Sequence, residues 1–149
     1  MTEISFYHLE RVSLELALPA LLEKTMAIGK KALVMAGSVQ RVEALNDHLW
    51  SYHPDSWLPH GSRVDGNPDR QPIWLSTSDE NLNNADFLFL TDGAHTETFN
   101  EFERCFEIFD GNSPAVVANA RERYRAYKGA GHTLSYFQQV SDGRWQKKG

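Results

Sequence analysis

The apolar pattern of this 149-residue chain predicts an α/β fold, a single domain with an open, mostly parallel sheet flanked by helices. Three observations carry the prediction. Short, nearly continuous apolar runs recur at residues 31–36 (Lys-Ala-Leu-Val-Met-Ala) and 86–90 (Asp-Phe-Leu-Phe-Leu), as strands buried on both faces of a parallel sheet require. Between such runs lie segments whose apolar residues return at helical spacing. The length and the 41% apolar share suit one core spanning residues 1–149, and no internal repeat is visible.

Taken in order, Glu3–Leu9 opens the chain with the β-formers Ile4, Phe6 and Tyr7. Leu14, Ala17 or Leu18, Leu21 or Leu22, and Met26 then mark a helix that stops at Gly29. Pro19 either kinks this helix or stands at the first position of one that begins near Leu18. Residues 31–36 form the next strand. Ser38 is a candidate N-cap for a helix whose inner face is Val42, Leu45, Leu49 and Trp50. Residues 51–70 are rich in Pro, Gly, Asp, Ser and His and read as an irregular, partner-facing connection. Residues 72–76 and 86–90 follow as strands, 99–106 as a helix and 107–109 as a short strand. Ser113 and Pro114 signal the start of a last helix with Val116, Ala120, Tyr124 and Tyr127 facing inward. Residues 132–140 form a final strand before a polar, basic tail.

The charge is split along the chain. Residues 121–149 hold seven of the fifteen Lys and Arg but only two of the twenty acids, a net of +5 against −10 for residues 1–120. Such asymmetry points to a partner more than to the fold. Arg121 and Arg125 are i,i+4 neighbours, Lys128 extends their row, and Tyr124 sits on the adjoining face, whereas Arg123 is offset by roughly 200°. Two guanidinium groups beside an aromatic ring suit a carboxylate carried on an apolar group. The alternative is a helix end carrying cations that favour its dipole.

Other chemistry is sought with little result. The turn Ala36-Gly37-Ser38-Val39-Gln40 has neither phosphate-binding glycine motif, which argues against NTP hydrolysis. His48, His53 and His60 share no helical face and have no cysteine nearby, so no metal is expected; His48 reads as solvent-facing and His60 as ordering the turn after Pro59. Cys105 is the sole cysteine and reads as a buried structural thiol in a reducing, intracellular setting. No apolar run approaches the roughly 18 residues that span a bilayer, and the N-terminus lacks a signal-peptide core. No catalytic constellation emerges and no cofactor is expected. Trp50 and Trp57 flank the irregular connection, either capping the core edge or forming a binding surface.

Several landmarks run in order over nearly the full length: Phe6-Tyr7, Leu49-Trp50, Pro59-His60, the segment Ala-Arg-Glu-Arg-Tyr-Arg-Ala-Tyr-Lys ending at Lys128, Gly131, Tyr136-Phe137-Gln138-Gln139 and Trp145. Together they resemble the chi subunit of bacterial DNA polymerase III holoenzyme, the clamp-loader-associated accessory protein. The resemblance implies a Rossmann-like domain that is cytoplasmic, replisome-associated and without catalysis of its own. It binds the acidic C-terminal tail of single-stranded DNA-binding protein (SSB) and, where present, the psi subunit. By that resemblance the tail-binding residues fall on Arg121 and Tyr124, with Arg125 beside them, and the contacts for psi or a competing helicase partner fall on Trp50 and Trp57. Val117 is apolar, so the basic stripe stops there, and the polar residues 110–113 border the expected pocket. Rival readings are a single-strand nucleic-acid-binding module and a degenerate nucleotide-binding or helicase-like domain.

Overall fold

The structure, a computed structural model, describes residues 3–9, 14–51, 60–62, 72–78, 80–81, 83–91, 96, 101–139 and 145–147. Its elements are β1 (Glu3–Leu9), α1 (Leu14–Ala27), β2 (Ala32–Met35), α2 (Val39–Ser51), β3 (His60–Ser62), β4 (Ile73–Ser76), β5 (Phe87–Leu90), β6 (Arg104–Asp110), α3 (Pro114–Gly129), β7 (Thr133–Gln139) and β8 (Trp145–Lys147). They build one eight-stranded sheet in the order β3-β4-β2-β5-β6-β1-β7-β8. Every pairing is parallel except that of β8 with β7. The predicted α/β class therefore holds, and nothing in the turn from β2 to α2 forms a phosphate-binding loop.

Local chemistry explains most boundaries. Gly29 adopts φ 75°, a left-handed conformation that glycine takes without strain, and ends α1. Its N–H reaches the Met26 carbonyl at 2.9 Å, and that of Lys30 reaches Thr25 at 3.1 Å. Pro19 lies inside α1, so the helix runs through it from Leu14. Ser38 caps α2 as expected, its Oγ accepting the Arg41 N–H at 3.2 Å. Ser113 occupies the N-cap of α3 without a side-chain bond; its carbonyl accepts the Val117 N–H instead, and Pro114 opens the helix.

Four expectations fail. Residues 104–106 are not helical: β6 begins at Arg104 and runs for seven residues, while residues 99–100 lie outside the described set. As a central strand between β1 and β5, β6 buries both faces, Cys105, Glu107 and Phe109 on one side and Phe106 and Ile108 on the other. That leaves no polar/apolar alternation to announce a strand. His60–Ser62 pairs with β4 within the stretch read as irregular. Trp145–Lys147, read as tail, joins the sheet through β7. His48 is half-buried rather than solvent-facing.

Two cores sandwich the sheet. On one face Leu18 and Leu22 of α1 and Leu45 and Leu49 of α2 pack over Val34, Leu75, Phe89 and Phe106. On the other, Ala120 and Tyr127 of α3 pack over Ile4, Phe6, Cys105 and Phe109. Burial holds the Cys105 thiol well above its ordinary pKa, with Glu107 adding to the effect. It is inert at neutral pH, as its reading as a structural thiol required.

A buried ion pair fixes α3 on this face. Arg123 Nε donates to Glu107 Oε1 at 2.7 Å, with the side chains 22% and 3% exposed. Burial first, then Glu107, pushes the Tyr127 phenol up, and the two share a hydrogen bond.

Removing the cation strands a buried carboxylate. Arg123→Ala is expected to lose about 3 kcal/mol of stability, read by urea denaturation. Replacing both partners, Glu107→Leu with Arg123→Met, should recover most of that loss. An additive loss in the double variant would show that the pair acts through something other than charge. The raised Tyr127 phenol keeps its proton in the native state after the unfolded chain has lost it. Its stabilisation is therefore full below about pH 10 and falls as pH rises beyond that. Tyr127→Phe should flatten the alkaline fall in unfolding free energy between about pH 9 and 11; an unchanged slope would exonerate Tyr127.

Candidate functional site

The ion pair dictates which way α3 presents its remaining side chains. With Arg123, Ala120 and Tyr127 turned to the sheet, Arg121, Arg125 and Lys128 are exposed. Tyr124 falls on the boundary between the two faces. It is half-buried, its ring 5.4 Å from Phe6 and 5.9 Å from Tyr136, both edge-on. The structure thus brings the predicted Arg121, Tyr124 and Arg125 together on one exposed flank of the helix.

The opposite wall comes from β7. Ile4 pairs with Leu134 and Phe6 with Tyr136, so Leu134 and Tyr136 stand on the α3 side of the sheet. Both are partly buried against the same core, as are Val116, Val117 and Tyr124. Val117, Tyr124, Leu134 and Tyr136 therefore form a partly buried apolar strip where α3 meets β7, with the exposed cations of α3 beside it. Such a strip accepts an apolar or aromatic group, while the guanidinium groups beside it fit its carboxylate. Leu134 and Tyr136 escaped the sequence reading. Their strand was legible, but only its parallel register with β1 puts these two residues opposite the basic row.

At the end of β1, His8 is 5% exposed. Its Nδ1 lies 2.7 Å from the Tyr136 hydroxyl. Its ring leans on Phe109 with centroids 5.1 Å apart. The turn into α3 seals it: the Gly111 N–H bonds the Leu9 carbonyl at 2.7 Å, and a Cβ on Gly111 would strike the His8 ring and the Leu9 carbonyl. Residues 110–113, expected to border the site, form this turn, with Asp110 Oδ1 accepting the Asn112 N–H at 2.9 Å.

Trp50 lies in the last turn of α2, but its side chain and all of Trp57 fall outside the described residues, as does His53. Among the described residues no group of three or more His, Cys, Asp or Glu could hold a metal ion, and no helix is long and apolar enough to cross a membrane.

Residues 1–135 match the family described as DNA polymerase III chi subunit, HolC. A curated protein of Rickettsia prowazekii (strain Madrid E), "Probable DNA polymerase III subunit chi", is 29% identical over 157 residues, covering 99% of this chain and 92% of that protein. With three-quarters or more of its length matched in both comparisons, the chain belongs to the DNA polymerase III chi subunit family.

Proposed function

We propose that the apolar strip between α3 and β7, with the exposed cations of α3, captures the acidic C-terminal tail of SSB, and that the chain thereby couples SSB-coated template to the clamp-loader side of the polymerase III holoenzyme. The observation that carries this reading is the phase of α3. Arg123 is spent on Glu107, while Arg121 and Arg125 stand exposed beside the half-buried Tyr124. Arg121 takes the terminal α-carboxylate, Tyr124 walls the pocket for a terminal Phe, and Arg125 meets acids further upstream. This work is binding, and the role is that of an accessory subunit rather than a catalyst. A second surface carried by Trp50 and Trp57 would take psi or another replisome protein.

Arg121→Ala is expected to weaken an acidic, Phe-terminated peptide by about 1.5 to 3 kcal/mol, roughly ten- to a hundredfold in Kd by calorimetry, with circular dichroism unchanged. Deleting the terminal Phe should cost at least as much. Glu122→Ala, at an exposed position off the row, is the control. Arg123 cannot serve as one, because its loss destabilises the fold. Equal affinity for the Arg121 variant and wild type would remove the site from α3. For the second surface, Trp50→Ala and Trp57→Ala should retain peptide affinity and near-normal melting while losing a psi-type partner in pull-down. Large melting losses with partners retained would return both indoles to the core.

A further inference from the structure

A ladder of aromatic rings crosses the sheet on the face opposite α3. Phe89 of β5 and Phe106 of β6 stack with centroids 4.5 Å apart and planes 6° from parallel. Phe106 meets Tyr7 of β1 at 5.9 Å and 30°, and Tyr7 meets Phe137 of β7 at 5.0 Å and 17°. The Arg104 guanidinium lies 4.6 Å from the Phe106 centroid, and its Nη2 donates to Ser5 Oγ, which fastens the inner end of the row. Burial falls along the ladder. Phe89 and Phe106 belong to the core beneath α1 and α2, whereas Tyr7 and Phe137 are half-buried. Trp145 of β8 stands beside them, edge-on to Tyr7 at 5.0 Å and itself half-buried. Beyond Phe137 the next position in register is Lys147 of β8, an exposed cation that meets no acid among the described residues.

We propose that the outer end of this ladder is a stacking site for single-stranded nucleic acid, in which one base adds to the row against Phe137, beside Trp145, and Lys147 meets an adjoining phosphate. Shape, size and charge select this occupant. Rings stacked across neighbouring strands stand upright on the sheet, so the row ends in a ring face rather than a flat apolar floor. A planar group continues such a row, and every base has a π-face to offer. The apolar exposure is confined to three half-buried rings, framed by the exposed Thr133, Gln146 and Lys147. That is too small and too polar for the core of a protein interface, where charge is depleted. The charge is also right: residues 144–149 carry three cations and no acid on a chain of net −5. A polyanion is therefore attracted to this edge while the acidic remainder of the surface repels it.

This site goes beyond tail capture and does not depend on it. The two use opposite faces of β7: Leu134 and Tyr136 turn to α3, and Phe137 turns away to Tyr7. The thickness of the sheet separates them, so a peptide and a nucleic-acid strand can be held at once. Stacking uses the face of a base and not its edge, so the site distinguishes single strands from duplex without reading sequence. In a duplex both faces of an internal base are already stacked on its neighbours, and none is left for Phe137.

The test uses the full chain and a fluorescein-labelled oligo(dT) of about 8 nucleotides, read by fluorescence anisotropy at low salt. Wild type should bind it, and should bind an abasic strand of equal length about tenfold more weakly. Phe137→Leu keeps apolar volume and loses the ring face. It should weaken oligo(dT) about tenfold while leaving circular dichroism and affinity for the acidic, Phe-terminated peptide unchanged. Lys147→Gln should lower the slope of log K against log salt by about 0.7, the share of one phosphate on a single strand. Arg121→Ala should leave oligo(dT) binding as it is. Should Phe137→Leu fail to fold, NMR of wild type decides: oligo(dT) should shift the ring resonances of Phe137 and Trp145 and spare those of Tyr124. No binding of oligo(dT), or equal affinity in wild type and folded Phe137→Leu, overturns the stacking site. Loss of binding with Arg121→Ala, or displacement by the peptide, overturns it too and moves the phosphate contacts to α3. Capture of a protein through Phe137 without oligo(dT) binding replaces it with a docking surface. Peptide affinity, measured alongside, reports on tail capture separately in every case.

Discussion

The contact between Glu107 and Arg123 sets the rotational phase of α3, and through it the character of the exposed flank. A helix that packs on a sheet through small and aromatic side chains can rotate by part of a turn at modest cost, because dispersion is non-directional. A charge-assisted hydrogen bond of 2.7 Å to a buried carboxylate removes that freedom. Once Arg123 points to β6, the residues one turn apart on the outer flank, Arg121 and Arg125, point to solvent. Tyr124 then has no position except the seam. The pair adds little net stability over a well-packed apolar alternative. Its value lies in the orientation it imposes.

Strand order supplies the second half of the site. Because β1 lies between β6 and β7, its residues Phe6 and His8 sit beneath the helix that bridges those two strands. Phe6 lies within 6.4 Å, centroid to centroid, of Phe109, Tyr124, Tyr127 and Tyr136. It is the hub on which Tyr124 of α3 and Tyr136 of β7 both rest. The edge-on, tilted and stacked ring contacts have preferred geometries, so Tyr124 and Tyr136 are held by the ring behind them.

The parts of this design that were legible in the chain are those encoded locally. The apolar runs at 31–36 and 86–90 became β2 and β5, Ser38 and Gly29 bounded helices as their chemistry requires, and the i,i+4 row of Arg121 and Arg125 survived intact. The parts that were not legible depend on partners distant in the chain. Residues 107–109 were legible as strand, but 104–106 were not, because β6 is buried on both faces and shows no polar/apolar alternation. Three residues suffice for β8 only because β7 supplies the ladder. Likewise the 200° offset of Arg123 removed it from the binding row but could not reveal its partner. Tyr136 could be assigned to a strand but not to a face opposite α3.

The same strand order has a consequence for how the chain is made. Glu3 finds its two lateral neighbours at Arg104 and Thr133. During synthesis, therefore, β1 leaves the ribosome with both hydrogen-bonding edges open, and they wait for β6 and β7. Meanwhile β2, β4 and β5 can pair among themselves. The nascent chain thus carries an unpaired, β-prone strand until β6 and β7 have been made. Slow decoding of the stretch that encodes β6 to β7 would prolong that exposure, so the strands that complete the sheet also limit how long β1 can mispair.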